Sequence, residues 1–427
     1  MMFASLFSAG LYVAVRRAVE VGIGIVAVRL LAFVLSAFIA RVSGAETFGE
    51  YTLFITLFII ASEIPVALDT TYIRAVPRLK HQRDTQYMLA SAVASKLLYV
   101  AIVIILVMLF GGMLADAVLG KPQSVNTIKL AIICGAIYSV FTGLVAFYQQ
   151  RQVYILVSFL RPVLNALILA TLFLMTWWYA KPDIQLITGV YICVVVFLAV
   201  SALLWLFFRY LSIDFSRIAG DTRRFIRVGL VLIISSGVSI ISNRLDVIFL
   251  SSELAYEQLA LYGVGLRMSV LVAFVTGIIT TILVPQASHV MGDPARLKHY
   301  LKLAALYLGF QILAAIVTIY FVDNFILILF GDAYSNAAGV TILLILQVLL
   351  TSCGLPFQAL IQTGNAPQLM LGIALLRLVL SYAALAVLVP DYGLLGAGYA
   401  VVLTSLGVSV LVMVLALRQH KKSHLQQ

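Results

Sequence analysis

Residues 15–25 read VRRAVEVGIGI and residues 222–232 read TRRFIRVGLVL, so two arginines and a glycine return in register 207 positions apart. More matches follow in the same order. Glu46 and Tyr51 pair with Glu257 and Tyr262 at an offset of 211, Val76-Pro77 with Val284-Pro285 at 208, and Gly189-Val190-Tyr191 with Ala397-Gly398-Tyr399 at 208. RLKH also occurs twice, at 78–81 and 296–299, but its offset of 218 conflicts with the Val-Pro match beside it. We read it as a coincidence of two basic loops. The chain is an internal duplication, and the fold must be built from two like halves.

What each half contains follows from composition. The chain has 427 residues, of which 63% are hydrophobic and 11% charged, with a mean hydropathy of +1.10. Too few charges remain to keep a globule of this size in water, so the protein is a polytopic membrane protein of all-α class. A span needs about 20 apolar residues. Twelve segments qualify, near 19–40, 50–73, 87–113, 126–149, 152–178, 185–208, 228–250, 257–285, 301–323, 337–361, 368–390 and 392–417. The expected domains are a six-helix bundle over 1–208, an arginine-rich cytoplasmic linker over 209–227, and a second bundle over 228–427. Each copy starts after an even number of spans, so the repeat is parallel, related by an axis along the membrane normal. Two such bundles facing each other generate a central cavity that rocking of one half against the other would open to either side, which is transporter architecture. The apolar stretch Met1–Val15 is short for a span and lacks the basic start and cleavage site of a signal peptide. It reads as an interfacial helix or an extension of span 1.

The net charge of +11 follows membrane sidedness and not nucleic acid. Assigning loops to alternate sides puts eighteen Lys and Arg on one side and four on the other, with six inside spans. The positive-inside rule then places both termini in the cytoplasm. No loop exceeds about 20 residues by this span assignment, so there is no soluble catalytic domain and no catalytic residue is expected. Cys134, Cys193 and Cys353 lie in different spans without metal spacing and read as packing residues.

The six intramembrane basic residues are Arg29, Lys96, Arg161, Arg244, Arg267 and Arg377. Each costs roughly 2.5 kcal/mol or more at a bilayer centre, so a group of them points to a cation-lined cavity and an anionic ligand. Arg161 lies nine residues past Gln152, about 13 Å deep at ~1.5 Å per residue. Arg377 lies nine past Gln368 in the repeat-related span, which makes the two arginines symmetry mates. Tyr154, Ser158, Arg161 and Asn165 share a helix face, as do Gly22, Arg29 and Ser36. The expected substrate-binding set is Arg29, Arg161 and Arg377, with Lys96 and Arg267 as further lining; guanidinium forks suit a diphosphate or an acidic sugar. The competing reading of each is a partner for a carboxylate or carbonyl. Arg244 lies near the outer end of span 7 and reads as snorkelling. Asp69, Asp246 and Glu63 are the carboxylates within spans; a proton or sodium gradient would couple through them, or they balance charge. No cofactor or metal is expected. Pro65, Pro162 and Gly354-Leu355-Pro356 are expected bends.

The run Ala40-Arg41-Val42-Ser43-Gly44-Ala45-Glu46-Thr47-Phe48-Gly49-Glu50-Tyr51 resembles the first-loop signature of bacterial oligosaccharide flippases. Arg74, Tyr148-Gln149-Gln150 and Tyr392-Gly393-Leu394-Leu395-Gly396-Ala397-Gly398-Tyr399 add to that resemblance along the chain. These flippases belong to the multidrug, oligosaccharidyl-lipid and polysaccharide exporter superfamily. The resemblance implies two six-helix bundles in a MATE-like V. It also implies flipping of an undecaprenyl-diphosphate-linked oligosaccharide across the bacterial inner membrane for O-antigen, capsule or exopolysaccharide synthesis, beside a polysaccharide polymerase and a chain-length regulator. Lipid II flippases of the superfamily typically have fourteen spans, against twelve here. A drug exporter of the superfamily would place carboxylates in its cavity, and six basic against three acidic span residues argue otherwise. A membrane polymerase or glycosyltransferase would carry a large external loop or acidic motifs, which are not evident.

Overall fold

The computed structural model describes residues 2–78, 82–177, 181–210, 215–287, 290, 294–363 and 367–425. Most of RLKH at 78–81 and part of the linker, 211–214, lie outside them. The helices are α1 Met2–Ser43, α2 Ala45–Glu63, α3 Val66–Ala75, α4 Gln82–Met113, α5 Val125–Gln150, α6 Tyr154–Leu160, α7 Val163–Thr176 and α8 Ile184–Tyr210. They continue with α9 Phe215–Ser242, α10 Leu245–Glu253, α11 Tyr256–Ala287, α12 Pro294–Tyr320, α13 Val322–Leu329, α14 Ala338–Thr363 and α15 Pro367–Leu425. No strand occurs among the described residues. In lipid every backbone amide must be satisfied within its own segment, and uninterrupted helix is the local answer to twenty apolar residues in a row.

Ten helices among the described residues are long and apolar enough to cross a membrane, and the bent pair Leu232–Ser242 with Leu245–Glu253 brings eleven. The last of the ten, Leu369–Arg418, has 50 residues, about 75 Å at 1.5 Å per residue, against a hydrocarbon core of about 30 Å. Gly393 breaks it with φ 55° and ψ −129°, a conformation open to glycine. Gly396 then lies against the Leu388 carbonyl, where a straight helix would hold those residues about 12 Å apart. The chain doubles back there, and the count becomes twelve.

Prolines act as expected at two of three places. Pro65 separates α2 from α3, and Pro162 separates α6 from α7. Pro356 leaves α14 unbroken. Neighbours hold that helix through its backbone, with Tyr300 Oη donating to the Pro356 carbonyl at 2.9 Å and Ser409 Oγ to the Leu350 carbonyl at 2.8 Å. Conversely, span 7 breaks at Asn243-Arg244 with a bend of 48°, without proline or glycine. The N-terminal stretch is part of α1, which runs unbroken from Met2.

The chain divides into two compact units, Met1–Leu35 with Phe54–Gly237, and Ser36–Leu53 with Val238–Gln427. In the first, α3, α4 and α5 pack on one another and α8 lies on α5 and α7. Buried rings of Phe54, Phe58 and Tyr191 form its centre, with Phe54 edge-on to Tyr191 at 5.0 Å. In the second, α11, α12 and α14 pack together and α15 lies on α14 and α10. Large apolar side chains such as Leu109 (70% exposed) point outward, as a lipid-facing surface requires.

Candidate functional site

The first unit holds three of the expected binding residues, Lys96, Arg161 and Arg29. Lys96 on α4 is 2% exposed. Its Nζ lies 2.7 Å and 2.9 Å from the two Asp69 carboxylate oxygens on α3. It also donates to the Ser139 carbonyl at 2.6 Å and to Thr142 Oγ1 at 2.8 Å, both on α5. Thr142 in turn is 3.1 Å from Asp69 Oδ2. Lys96, expected as lining, and Asp69, expected as a coupling carboxylate, are therefore each other's partners. Glu63, at the end of α2, is exposed.

Arg161 stands at the break between α6 and α7, half-buried, with its Nη2 3.4 Å from the Gln149 amide oxygen. The polar face around it serves partly to dock α1. Ser158 Oγ donates to the Glu20 carbonyl at 2.5 Å, and Asn165 Nδ2 reaches the Val28 carbonyl at 3.4 Å. Gly24 gives the room for this, because a Cβ there would fall on the Ser158 backbone. Arg29 on α1 is half-buried.

In the second unit Arg377 is half-buried on α15, with its Nε buried and without a hydrogen bond. Asp246 acts on it electrostatically. That carboxylate is also engaged elsewhere: Tyr262 Oη donates to Oδ2 at 2.5 Å, and the Val247 N–H at the start of α10 lies 2.9 Å from Oδ1. Ser242 Oγ, at the end of α9, donates to the Ala374 carbonyl at 3.1 Å and fixes the broken helix one turn from Arg377. Arg244 is the residue preceding α10 at the bend, half-buried, and Arg267 on α11 is half-buried as well. Each repeat thus carries at least one guanidinium at a helix interruption or beside one: Arg161 in the first, and Arg244 and Arg377 in the second. That chemistry suits phosphate or carboxylate oxygens.

Sequence reasoning missed a second polar cluster in this unit. Gln311 on α12 is fully buried and donates from Nε2 to Thr276 Oγ1 on α11 at 2.8 Å and to Ser352 Oγ on α14 at 2.9 Å, and the two hydroxyls are 3.1 Å apart. Thr276 lies 207 residues after Asp69 and Ser352 lies 210 after Thr142, within the offsets of the repeat, whereas Gln311 lies 215 after Lys96, outside them. The repeat could point to the two hydroxyls but not to the glutamine.

The first-loop signature proves to be a clasp inside the second unit. Gly44, at φ 89°, turns the chain between α1 and α2. Arg41 Nη2 donates to the Ile328 carbonyl at 2.5 Å and so caps the C-terminus of α13. Tyr334 Oη donates to the Ala40 carbonyl at 3.0 Å, and Phe48 packs edge-on to Tyr334 with centroids 5.7 Å apart. Cys134 is buried, Cys193 and Cys353 are exposed, and the described residues contain no group of side chains able to hold a metal.

A family model described as polysaccharide biosynthesis protein matches residues 16–291. No protein of curated function matches the sequence. Solved structures do match in fold. An inward-facing multidrug resistance MATE family transporter of the MOP superfamily is 14% identical with a TM-score of 0.71, covering 92% of this chain and 94% of its own. The lipid II flippase MurJ in an inward closed conformation is 13% identical with a TM-score of 0.72, covering 95% and 90%. A MOP superfamily transporter from Pyrococcus furiosus, described as having a binding pocket of reverse polarity, is 15% identical with a TM-score of 0.64, covering 96% and 95%.

Proposed function

Because the chain belongs to the polysaccharide biosynthesis protein family and has the fold of MOP-superfamily transporters, we propose that it flips an undecaprenyl-diphosphate-linked oligosaccharide. Movement is from the cytoplasmic to the periplasmic leaflet of the inner membrane, with both termini cytoplasmic, for synthesis of a surface polysaccharide such as O-antigen, capsule or exopolysaccharide. The observation that carries this reading is the repeat-related pair Arg161 and Arg377, one guanidinium in the matching span of each repeat. Neutral or cationic cargo would give no reason to keep a cation twice at a position that costs free energy in a bilayer. In this reading the two arginines, with Arg29 and Arg267, hold the diphosphate or acidic sugars while the lipid tail stays in the hydrocarbon. Alternating access exposes the headgroup to each side in turn, and a polymerase with its chain-length regulator takes the product.

Reconstituted vesicles test this. A labelled lipid-diphosphate oligosaccharide loaded in one leaflet is expected to reach a membrane-impermeant glycosidase on the other side only when the protein is present. Failure to move it, in a protein that instead expels organic cations, would replace this reading with the drug-exporter one.

A further inference from the structure

The Asp69 and Lys96 pair does more than fasten helices. Within one chain the second unit supplies a control: α11, α12 and α14, the spans that match α3, α4 and α5 in order, are tied by Thr276, Gln311 and Ser352, a triad without charge. A neutral hydrogen-bonded triad therefore suffices for this three-helix junction, and the charges in the first unit need another reason. Burying two ions costs more than burying amide and hydroxyl, and a buried pair is weak as a device for stability alone.

The geometry around Lys96 Nζ is that of an ion in oxygen. Four oxygens from three residues stand 2.6 to 2.9 Å from it: both carboxylate oxygens of Asp69, the Ser139 carbonyl and Thr142 Oγ1. An ammonium has three protons to donate, so four close oxygens treat it as a compact charge and not as three directed bonds. One carboxylate balances one positive charge. A divalent ion is poorly served, since calcium takes six to eight oxygens and magnesium demands octahedral geometry at about 2.0 Å.

We propose that Asp69, Thr142 and the Ser139 carbonyl form a monovalent-cation cage whose resident cation is the tethered ammonium of Lys96. The first unit thereby carries its own cation, and Asp69 takes no free ion while Lys96 is present. A free cation of ammonium or potassium size enters only when the lysine charge is removed. This holds whatever the transported molecule is, since it concerns a junction of three helices within one unit.

The test is thermal unfolding of the full-length purified protein in KCl, NH4Cl, NaCl or choline chloride at equal ionic strength. Choline is too large for the cage. The wild type is expected to melt at the same temperature in all four. Lys96→Met is expected to melt lower in choline and to rise by several degrees in KCl or NH4Cl, logarithmically with concentration as a bound ligand requires. The Asp69→Asn/Lys96→Met double variant is expected to lose that rise. Equal melting of Lys96→Met in all salts overturns the cage, as does an equal rise in the double variant. If Lys96→Met accumulates folded in no salt while the double variant does, the cage is likewise overturned, because then no free cation replaces the ammonium. A wild-type rise that Asp69→Asn removes overturns the resident role of Lys96.

Discussion

The two repeats solve the same junction differently. Asp69, Lys96 and Thr142 join α3, α4 and α5 with a buried ion pair, whereas Thr276, Gln311 and Ser352 join α11, α12 and α14 with hydroxyls and an amide. The arginines show the opposite pattern. Arg161 and Arg377 keep their charge in both copies while their surroundings diverge, a Gln149 amide near one and the Asp246 carboxylate near the other. Polar contact is thus kept without its charge where helices are joined, and a charge is kept without its neighbours at the two positions proposed to hold the ligand.

That comparison can be broken most readily at the ion pair. Lys96→Met or Asp69→Asn alone leaves an uncompensated buried charge and is expected to cost about 3–5 kcal/mol. Replacing both by apolar residues should return most of it; denaturation of the three variants in detergent checks this, and an additive double variant would contradict the pairing. Gln311→Leu in the neutral junction strips donors from two hydroxyls and should cost less, about 1–3 kcal/mol, by the same measurement. A loss larger than that of Lys96→Met would reverse the ranking of the two junctions. The smallest effect is expected outside both. Arg41→Ala removes the cap on α13 and should lower stability by about 0.3–1 kcal/mol, with local amide exchange rising at residues 322–329.

The spans and the repeat were legible because a bilayer demands long apolar runs and because duplicated residues stay in order. The reversal near Gly393 was legible as the gap between the spans at 368–390 and 392–417, where Pro390 and Asp391 stand. The break at Asn243-Arg244 was not, because no residue there forbids a helix; Ser242 docking on the Ala374 carbonyl is a tertiary event. Pro356 resembled Pro162 in sequence, yet Tyr300 and Ser409 support the helix around it. Among site residues, the matching places of Arg161 and Arg377 along their spans could be counted from the span ends. Lys96 read as lining because nothing in its own helix reveals that Asp69, 27 residues away, faces it. The signature around Arg41 pointed to a family, while its contacts with α13 and Tyr334 needed coordinates.

The claim on which the account turns is that the paired arginines carry the anionic headgroup. Complementation of an export-deficient strain with Arg161→Ala/Arg377→Ala, set beside Arg161→Lys/Arg377→Lys at equal protein level in the membrane, tests it most directly. The account predicts loss of surface polysaccharide in the alanine pair and partial recovery in the lysine pair, which keeps the charge without the bidentate fork. Undiminished export by the alanine pair would contradict it.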